Sequence, residues 1–478
     1  MGPRSSINYA LDQLNAETLT AVIELHKKSK DTVSGLYQRY LQKGLAIQSR
    51  TVEDVAKPNN QLANDFRGYI VDQVVGYLFG NEVSYTVDAA SFEGQEATFE
   101  AFRNMLEDLI VTNEIADLDA ELATYMSACG YAARLMYLED IENEDAELEE
   151  SEFPAIRLMN IPAYEVFFIY NGNKRTHAIR YQELASGDDE EAPLLVTVYT
   201  DTELTRYQTN EDGELTQTES KSHGFQRIPV ALFQNNEQEM GDFEKVEPLI
   251  DAYDIVTSDN INEVESFAHA YLALEGIEMS QDEAKKAKQT GVLVLPESMN
   301  GGSSAKAYFI TKNINDTFLE NAKNTLVSNI HKFSSSVNMA DESFSGSAQS
   351  GESRKWKLTD LEAKAGKKAR KFAKGLREQF RVICTNWKVL QDGIDYKKMS
   401  FKFSRNVPND RSQAADFASK MKGIISDETL FENLDGIVED VQYEKELILK
   451  EQQELTDNLG SLDDTGADTT TDSNAVAE

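Results

Sequence analysis

A long amphipathic run between residues 243 and 274 constrains the fold of this chain more than any other feature. Its apolar residues recur with an average step of roughly 3.4 residues, which is typical of a helix that packs along one stripe. They are Phe243, Val246, Ile250, Tyr253, Val256, Ile261, Val264, Phe267, Tyr271 and Leu274. Pro248 fits only a first helical turn and Gly276 follows the last periodic residue, so the pattern predicts a helix over 247–275. At ~1.5 Å per residue this helix would be a strut of about 40 Å.

A small insertion at 277–315 separates this helix from a second one at 316–336. The insertion combines a Lys-rich helical stretch with predicted strands at 292–295 and 306–311, joined through Gly301-Gly302. The second helix carries its apolar residues at steps of three and four. They are Leu319, Ala322, Leu326, Ile330 and Phe333. Because a compact insertion returns the chain close to where it left, we expect the two helices to be antiparallel.

Residues 334–353 are almost devoid of bulky side chains, and a segment of this composition cannot bury a core. We expect it to be mobile unless it is held at both ends. The segment that follows, 354–388, carries twelve basic and three acidic residues on a predicted helix. The first strut has the opposite sign, with eight acidic residues and one basic residue over 243–275.

The remainder of the chain predicts a mainly helical α+β protein. Helices are predicted at 8–44, 62–80, 99–113 and 115–136, with a strand at 83–87. The period changes to two between 156 and 233, which predicts an inserted antiparallel β region. A strand at 399–403 and a helical block at 412–455 follow, and we expect the acidic last residues, 457–478, to be disordered.

Composition excludes several classes of function. A formal charge of −36 argues against a surface that wraps nucleic acid by neutralising phosphates. Cys129 and Cys384 are too few for a disulfide framework or a cysteine-based zinc site, and the five histidines are scattered. No catalytic motif, cofactor site or metal site is predicted, and no run of about 18 apolar residues suggests a membrane span. The acidic stretch 139–152 is interpreted as a solvated loop.

Short motifs lie in a fixed order along the chain. They are Lys57-Pro58-Asn59-Asn60, Leu62, Asn64, Phe66, Tyr69-Ile70-Val71-Asp72, Gly76-Tyr77 with Gly80, and the stretches 229–236, 241–246, 249–254, 267–272, 341–346 and 424–430. Together they resemble the SPP1-like family of tailed-phage portal proteins, and the resemblance covers residues 30–455. One local departure is Glu352, at a position where the family often has an apolar residue or alanine.

The resemblance implies a non-enzymatic portal fold in a ring of twelve copies at one capsid vertex of a virion, assembled in the host cytoplasm. Double-stranded DNA would be packaged and ejected through the ring. After an N-terminal helical segment at 1–30, the implied parts are a wing (31–241 and 354–404), a stem (242–276 and 316–336), a clip (277–315), a tunnel loop (337–353) and a helical crown (405–456). The implied partners are the terminase motor, the major capsid and scaffolding proteins, and the head-completion and tail connector proteins.

Four sets of candidate residues follow. In the tunnel loop they are Asn338, Asp341, Glu342, Ser343, Phe344, Ser347 and Gln349, which would touch DNA or neighbouring loops. On the stem they are Glu247, Asp251 and Asp254, which share one helix face. They form either an acidic wall that repels the duplex or a solvated face without a further role.

The third set lies on the basic helix and consists of Lys364, Lys367, Lys368, Lys371, Lys374 and Arg377. These residues would contact DNA or pair with acidic surface on the same or a neighbouring copy. The fourth set is Lys285, Lys286, Lys288 and Glu297 in the clip, which would meet the motor or the connector. The alternative function is an acidic structural or adaptor protein of the virion without DNA passage.

Overall fold

The structure is a computed structural model in which most of the chain is described. It describes residues 3–9, 14–51, 58–139, 155–184, 193–268, 272–275, 280, 282, 285–286, 306–309, 316–340, 356–406, 416, 418–432, 434, 438, 441, 443–445 and 447–453. Two compact units are present. The first comprises Met1–Val75 and Ala89–Lys398, and the second comprises Gly76–Asp88 and Met399–Glu478.

The helices follow the predicted order. They are α1 (Ala16–Tyr40), α2 (Phe66–Phe79), α3 (Glu96–Thr112), α4 (Ile115–Cys129), α5 (Glu247–Ala268), α6 (Asp316–Ser334), α7 (Thr359–Leu390) and α8 (Asp427–Glu432). Residues 447–453 are also helical. The start of α1 is fixed by Asn15, whose side chain accepts the Thr18 N–H while Thr18 reaches back to the Asn15 N–H.

Within the described ranges the strands form four sheets. They are β1 (Ser6–Asn8), β2 (Ser84–Val87), β3 (Tyr131–Leu138), β4 (Ile156–Ile161), β5 (Val166–Asn171), β6 (Lys174–Glu183), β7 (Leu194–Tyr199), β8 (Glu203–Thr209), β9 (Leu215–Ser222), β10 (Val230–Gln234), β11 (Leu272–Glu275), β12 (Lys306–Phe309) and β13 (Met399–Lys402). The largest sheet has the order β1-β5-β6-β7-β8-β9, the next has the order β10-β3-β4, and β11–β12 and β13–β2 form pairs. All pairings are antiparallel except β1 with β5.

The first unit is built on these sheets. Helix α1 packs Leu19 and Val22 against Phe167 and neighbouring residues of the six-stranded sheet. Helix α7 packs on β10, where the rings of Phe233 and Phe372 lie 4.9 Å apart. The α+β class that the sequence predicts is therefore confirmed.

The two strut helices are antiparallel, as predicted. At one end the ring of Phe66 contacts both Tyr253 on α5 and His331 near the end of α6. At the other end β11, just after α5, pairs with β12, just before α6. The chain thus leaves and re-enters this helix pair through a two-stranded ladder.

Three predicted elements have the wrong bounds or type. The helix predicted over 247–275 ends at Ala268, because Leu272–Glu275 pairs with Lys306–Phe309 as a strand. The helix predicted over 115–136 ends at Cys129, where Gly130 adopts a φ of 95° and β3 begins. The N-terminal segment is not wholly helical, since Ser6–Asn8 is a strand beside β5. Predicted elements at 292–295 and 457–478 lie outside the described residues.

The contact between α7 and β10 yields a stability prediction at Gly375. A Cβ at this position would lie 2.4 Å from the Cδ1 of fully buried Phe233. We expect Gly375→Ala to destabilise the chain by about 1–3 kcal/mol, because this overpacking outweighs the better helix propensity of alanine. Chemical denaturation monitored by circular dichroism measures the difference.

Gly366→Ala in the same helix is the control. The nearest atom to its added Cβ is 3.9 Å away, so this variant should gain roughly 0.5–1 kcal/mol from helix propensity alone. Equal effects of the two substitutions would contradict the packing argument.

Candidate functional site

A buried arginine gathers the three acidic residues that the sequence analysis placed on the stem. Arg67 on α2 is fully buried, and its Nη2 lies 2.5 Å from Asp251 Oδ1 on α5. Its Nε and Nη1 lie 3.4 Å from Glu247 Oε1 and 3.7 Å from Asp254 Oδ2. Glu247 is shared with Arg39, whose Nη1 lies 3.0 Å from Oε2. We call these residues the Arg67 cluster.

This geometry corrects the hypothesis of an acidic wall. Glu247, Asp251 and Asp254 do share one helix face, as predicted, but that face is turned against Arg67 within the same chain. Asp254 is only 1% exposed. A buried cation needs paired carboxylates, and this requirement explains the acidic face without a passing duplex. The other interpretation, a solvated face, is also wrong for Asp254.

Burial raises the pKa of Asp254, against the opposing effect of hydrogen bonds from Asn64 and of the nearby Arg67. Its Oδ1 accepts hydrogen bonds from the backbone N–H of Asn64 at 2.9 Å and from the Asn64 amide at 2.8 Å. Its Oδ2 and Arg67 Nη1 are buried and have no hydrogen-bond partner among the described residues. The contact between Arg67 and Asp254 therefore depends on charge, whereas Asp251 and Glu247 accept hydrogen bonds from Arg67.

Residues 60–64 form an extended strap that runs along α5. The backbone N–H groups of Asn60, Leu62 and Asn64 donate to side-chain oxygens of Asn262, Ser258 and Asp254, at 2.7, 2.9 and 2.9 Å. Two extended residues span ~6.6 Å and four helical residues span ~6.0 Å, so every second strap residue meets every fourth helix residue.

The sequence prediction missed the strap and began the following helix at residue 62 instead of Phe66. A signal was present, because α5 carries polar acceptors at positions 254, 258 and 262. The strap also overlaps the motif that resembles the portal family. In this chain it gives α5 a hydrogen-bonded partner.

The segment directly after α6, residues 335–340, is held by two side chains of α2; we call it the neck. Gln73 binds the backbone of Val337 twice, since its Oε1 accepts the N–H and its Nε2 donates to the carbonyl, both at 2.7 Å. The Tyr69 hydroxyl donates to the same carbonyl at 2.7 Å and accepts the Met339 N–H at 3.3 Å. Gln73 thus pairs with Val337 as a neighbouring strand would.

His331 supports the neck from α6. Its ring lies edge-on to Phe66 and Tyr69, with centroids 5.9 and 5.6 Å away, and its Nδ1 is 2.8 Å from the Ser336 hydroxyl. Burial lowers the pKa of His331, so the ring is neutral at pH 7. Ser335, between these residues, adopts a φ of 58°, which marks the sharp turn out of the helix.

An open cavity of about 450 Å³ lies between the end of α6, the neck and the start of α7. Its polar lining includes Ser328, Lys332, Asn338, Lys357 and Asp360. Asn338 is the one predicted tunnel-loop residue within the described part of the chain. The other predicted residues, Asp341, Glu342, Ser343, Phe344, Ser347 and Gln349, lie outside it.

Three of the predicted basic residues on α7 contact acidic groups of the same chain. Lys368, 1% exposed, lies 2.5 Å from Asp242 Oδ2 and also donates to the Ser127 hydroxyl. Lys364 lies 3.2 Å from Asp242 Oδ1 and donates to the carbonyl of Ser334, the last residue of α6. Lys371 pairs with Glu237. For these three, the structure supports pairing with acidic groups of the same chain.

The lysines of α7 lower the pKa of the carboxylate that they contact just before α5. Burial alone would raise the pKa of Asp242, but Lys364 and Lys368 outweigh it and hold that pKa well below its usual range. The other three predicted residues, Lys367, Lys374 and Arg377, are exposed.

In the predicted clip, Lys285 and Lys286 are exposed and helical. Lys288 and Glu297 lie outside the described residues. Over the described ranges, no group of three or more His, Cys, Asp or Glu side chains is arranged to hold a metal ion. Within the same ranges, every helix is too short or too polar to span a bilayer.

Comparison with known proteins agrees with this architecture. Residues 19–457 match the family of phage portal proteins described as SPP1 Gp6-like. The chain is 24% identical over 428 residues to a portal protein of Clostridium phage phiCD119, covering 86% of this chain and 89% of that protein. It is 25% identical over 437 residues to the portal protein of Bacillus phage SPP1, covering 87% and 81%.

These matches define the class of this protein. The chain belongs to the SPP1 Gp6-like family of phage portal proteins, because the family match extends over most of its length. Both curated relatives carry the name portal protein, so the function of the chain is that of a bacteriophage portal. The resemblance that the motifs indicated is confirmed.

Arg67 and Arg39 both pair with Glu247, but we expect their substitution to reduce the stability of the chain by different amounts. We expect Arg67→Ala to destabilise the chain by roughly 3–5 kcal/mol, because it leaves buried Asp254 without a cation. Arg39→Ala should cost less than about 1 kcal/mol, since the Arg39 side chain is 42% exposed. Urea unfolding of the two variants makes the comparison, and similar losses for both would argue against a buried cluster.

The contacts between Gln73 and the neck predict that a substitution of Gln73 changes amide exchange in the neck alone. Gln73→Leu removes both contacts to Val337, so amide exchange of residues 335–340 should become roughly tenfold faster without global unfolding. Hydrogen exchange with mass spectrometry measures this rate. Asp72→Leu, one residue earlier on an exposed position of α2, is the matched control and should leave the rate unchanged; unchanged exchange in Gln73→Leu would show that the neck is held by other contacts.

Proposed function

We propose that twelve copies of this chain form a ring at one vertex of a phage capsid, and that double-stranded DNA enters and leaves the head through its centre. The observation that carries this proposal is the family match over residues 19–457. The antiparallel pair α5–α6, joined to the rest of its unit by the Arg67 cluster and the strap, is suited to form the stem of such a ring.

The parts of the ring are assigned from the positions of the elements. The wing comprises 31–241 with 354–404, the stem 242–276 with 316–336, the clip 277–315, the crown 405–456, and the tunnel loop 337–353. Residues 1–30 precede the wing. Within this scheme β11 and β12 form the ladder at which the stem ends.

The tunnel loop is the part that we assign to DNA contact. Its amino-terminal end is the neck, which Tyr69 and Gln73 fix to α2. Its carboxyl-terminal end continues into α7, which Lys364 and Lys368 fix to Asp242. Residues such as Asp341 and Phe344, between these two ends, are the ones that we assign to the channel.

The acidic balance of the chain supports sliding rather than tight binding. Twelve copies carry twelve times the formal charge of −36. Each phosphate that a protein neutralises adds a salt-dependent increment to affinity, so a channel poor in cations holds the duplex weakly. Low affinity is what a conduit for DNA needs.

The proposed partners follow from this location in the virion. The clip, with Lys285, Lys286, Lys288 and Glu297, would meet the terminase motor during packaging and the head-completion and tail connector proteins afterwards. The wing would meet the major capsid and scaffolding proteins during assembly in the host cytoplasm. In this role the chain positions DNA and partners and has no catalytic site of its own.

Deleting residues 343–350 from the tunnel loop tests the role of the loop. Ring formation should persist, because the contacts that fix the neck and α7 lie outside the deletion. The yield of DNA-filled heads should fall by at least about tenfold, since the loop is assigned to the path of the DNA. Negative-stain images count the rings, and nuclease-resistant DNA per head measures packaging.

Deleting eight residues at 463–470, beyond the family match, is the control of equal length. It should leave both measurements unchanged. A full yield of DNA-filled heads after the loop deletion would refute the assigned role. A wild-type chain that never forms rings would refute the portal assembly itself and would favour an acidic structural protein without DNA passage.

A further inference from the structure

One face of α7 carries a row of exposed cations that the in-chain ion pairs do not use. Its members recur at steps of three, four and seven residues and lie within about 80° of one another around the helix axis. They are Lys367, Arg370, Lys374, Arg377, Arg381 and Lys388. We call them the basic row; at ~1.5 Å per residue it is about 31 Å long.

The basic row lies opposite the buried face of the helix. Phe372, Leu376 and Phe380 are fully buried on the other side, where α7 packs against the body of its unit. The inward lysines, such as Lys368, sit at the edge of that buried face and already have partners in the chain. The helix therefore divides its cations into an inner set that fastens α7 and an outer set that faces solvent.

No carboxylate of the described residues lies within ion-pair distance of any of the six cations. This is unusual in a chain with 83 acidic and 47 basic residues, where an exposed cation would readily find an acid nearby. Isolated exposed ion pairs add little stability, but several like charges in a row attract an acidic surface collectively.

We infer that the basic row is an interface for the acidic surface of a second copy of this chain. This inference rests on the proposed ring, because only an assembly brings another copy to α7. Each copy supplies one row and a large surplus of acids, so successive copies pair head to tail around a closed circle. Such a contact sets orientation and register between copies more than it adds affinity.

The local charges favour a protein partner over DNA. Glu237, whose side chain is 80% exposed, pairs with Lys371 and lies close to Lys374 at one edge of the row. Glu378, paired with Arg175, lies at the same edge. These flanking carboxylates repel phosphates and carboxylates alike. The phosphates of a duplex are closely and evenly spaced, whereas the separate carboxylates of another copy can be spaced to avoid them and to meet the arginines of the row as two-point partners.

Charge reversal in the row tests the inference. Arg370→Glu with Lys374→Glu changes two exposed side chains of the row. The concentration at which half of the chains are in rings should rise by roughly tenfold or more at moderate salt, because attraction becomes repulsion. Lys27→Glu with Lys28→Glu on the exposed face of α1 is the matched control and should leave this concentration unchanged. Mass photometry or native mass spectrometry measures it.

Zero-length crosslinking identifies the partner directly. A carbodiimide joins a lysine amine to a carboxylate only when the two are in contact. Chains labelled with ¹⁵N are mixed with unlabelled chains before assembly, and the crosslinked peptides are sequenced by mass spectrometry. Crosslinks from Lys367, Lys374 or Lys388 should join labelled to unlabelled peptides, while Lys364, paired within its own chain, should give crosslinks within one label only.

The outcomes separate this inference from the proposed function. A wild-type chain that stays monomeric overturns both. Normal rings from the Arg370→Glu/Lys374→Glu variant, or crosslinks of the row confined to one label, overturn only the interface. Binding of a 30-base-pair DNA duplex is the remaining measurement. If wild-type rings bind the duplex and rings of the Arg370→Glu/Lys374→Glu variant form normally but do not bind it, the row contacts DNA instead.

Discussion

The fold of the first unit depends on compensating the charge of buried Arg67. Arg67 is removed from water between α2 and α5, and an arginine in that place is tolerated only because α5 supplies Glu247, Asp251 and Asp254 around it. The same contact joins α2, the helix that holds the neck, to α5. The acidity of α5 is thus first a structural requirement of the chain.

A second ionic contact fixes the helix pair α5–α6 from another direction. Asp242, just before α5, receives Lys364 and Lys368 from α7, and Lys364 also binds the last carbonyl of α6. The start of α5 and the end of α6 are therefore both tied to α7, while the neck is tied to α2. The neck and the start of α7 are thus each fixed to another helix of the same unit.

The periodicity of apolar residues was enough to predict most helices and the β region, because an element that is buried on one side repeats its apolar residues at a regular spacing. Periodicity was not enough where pairing with a strand distant in sequence determines the secondary structure. Residues 272–275 continue the helical pattern of α5, yet they pair with Lys306–Phe309 as a strand. Residues 131–136 continue the Ala- and Leu-rich pattern of α4, yet Gly130 ends the helix and β4 and β10 flank the strand.

The candidate site shows the same division. Spacing correctly placed the three stem acids on one face, but no local pattern indicated that Arg67, some 180 residues earlier, would occupy it. Likewise six basic residues on α7 were recognised as a group, and only packing separated inward Lys364, Lys368 and Lys371 from the exposed ones. Charge partners distant in sequence are what single-chain reasoning could not supply.

The hydrogen bonds between the strap and α5 would permit α5 to slide along its axis in one direction but not in the other. If α5 moved by one turn, about 5.4 Å, the N–H groups of Asn64 and Leu62 would face Ser258 and Asn262, whose side chains again offer oxygens. A move the other way would set Asn64 opposite Ile250, which offers no acceptor. The hydrogen bonds of the strap alone are thus compatible with two axial positions of α5. Arg67 distinguishes the two positions, because in the shifted one Ile255 would replace Asp251 beside its guanidinium.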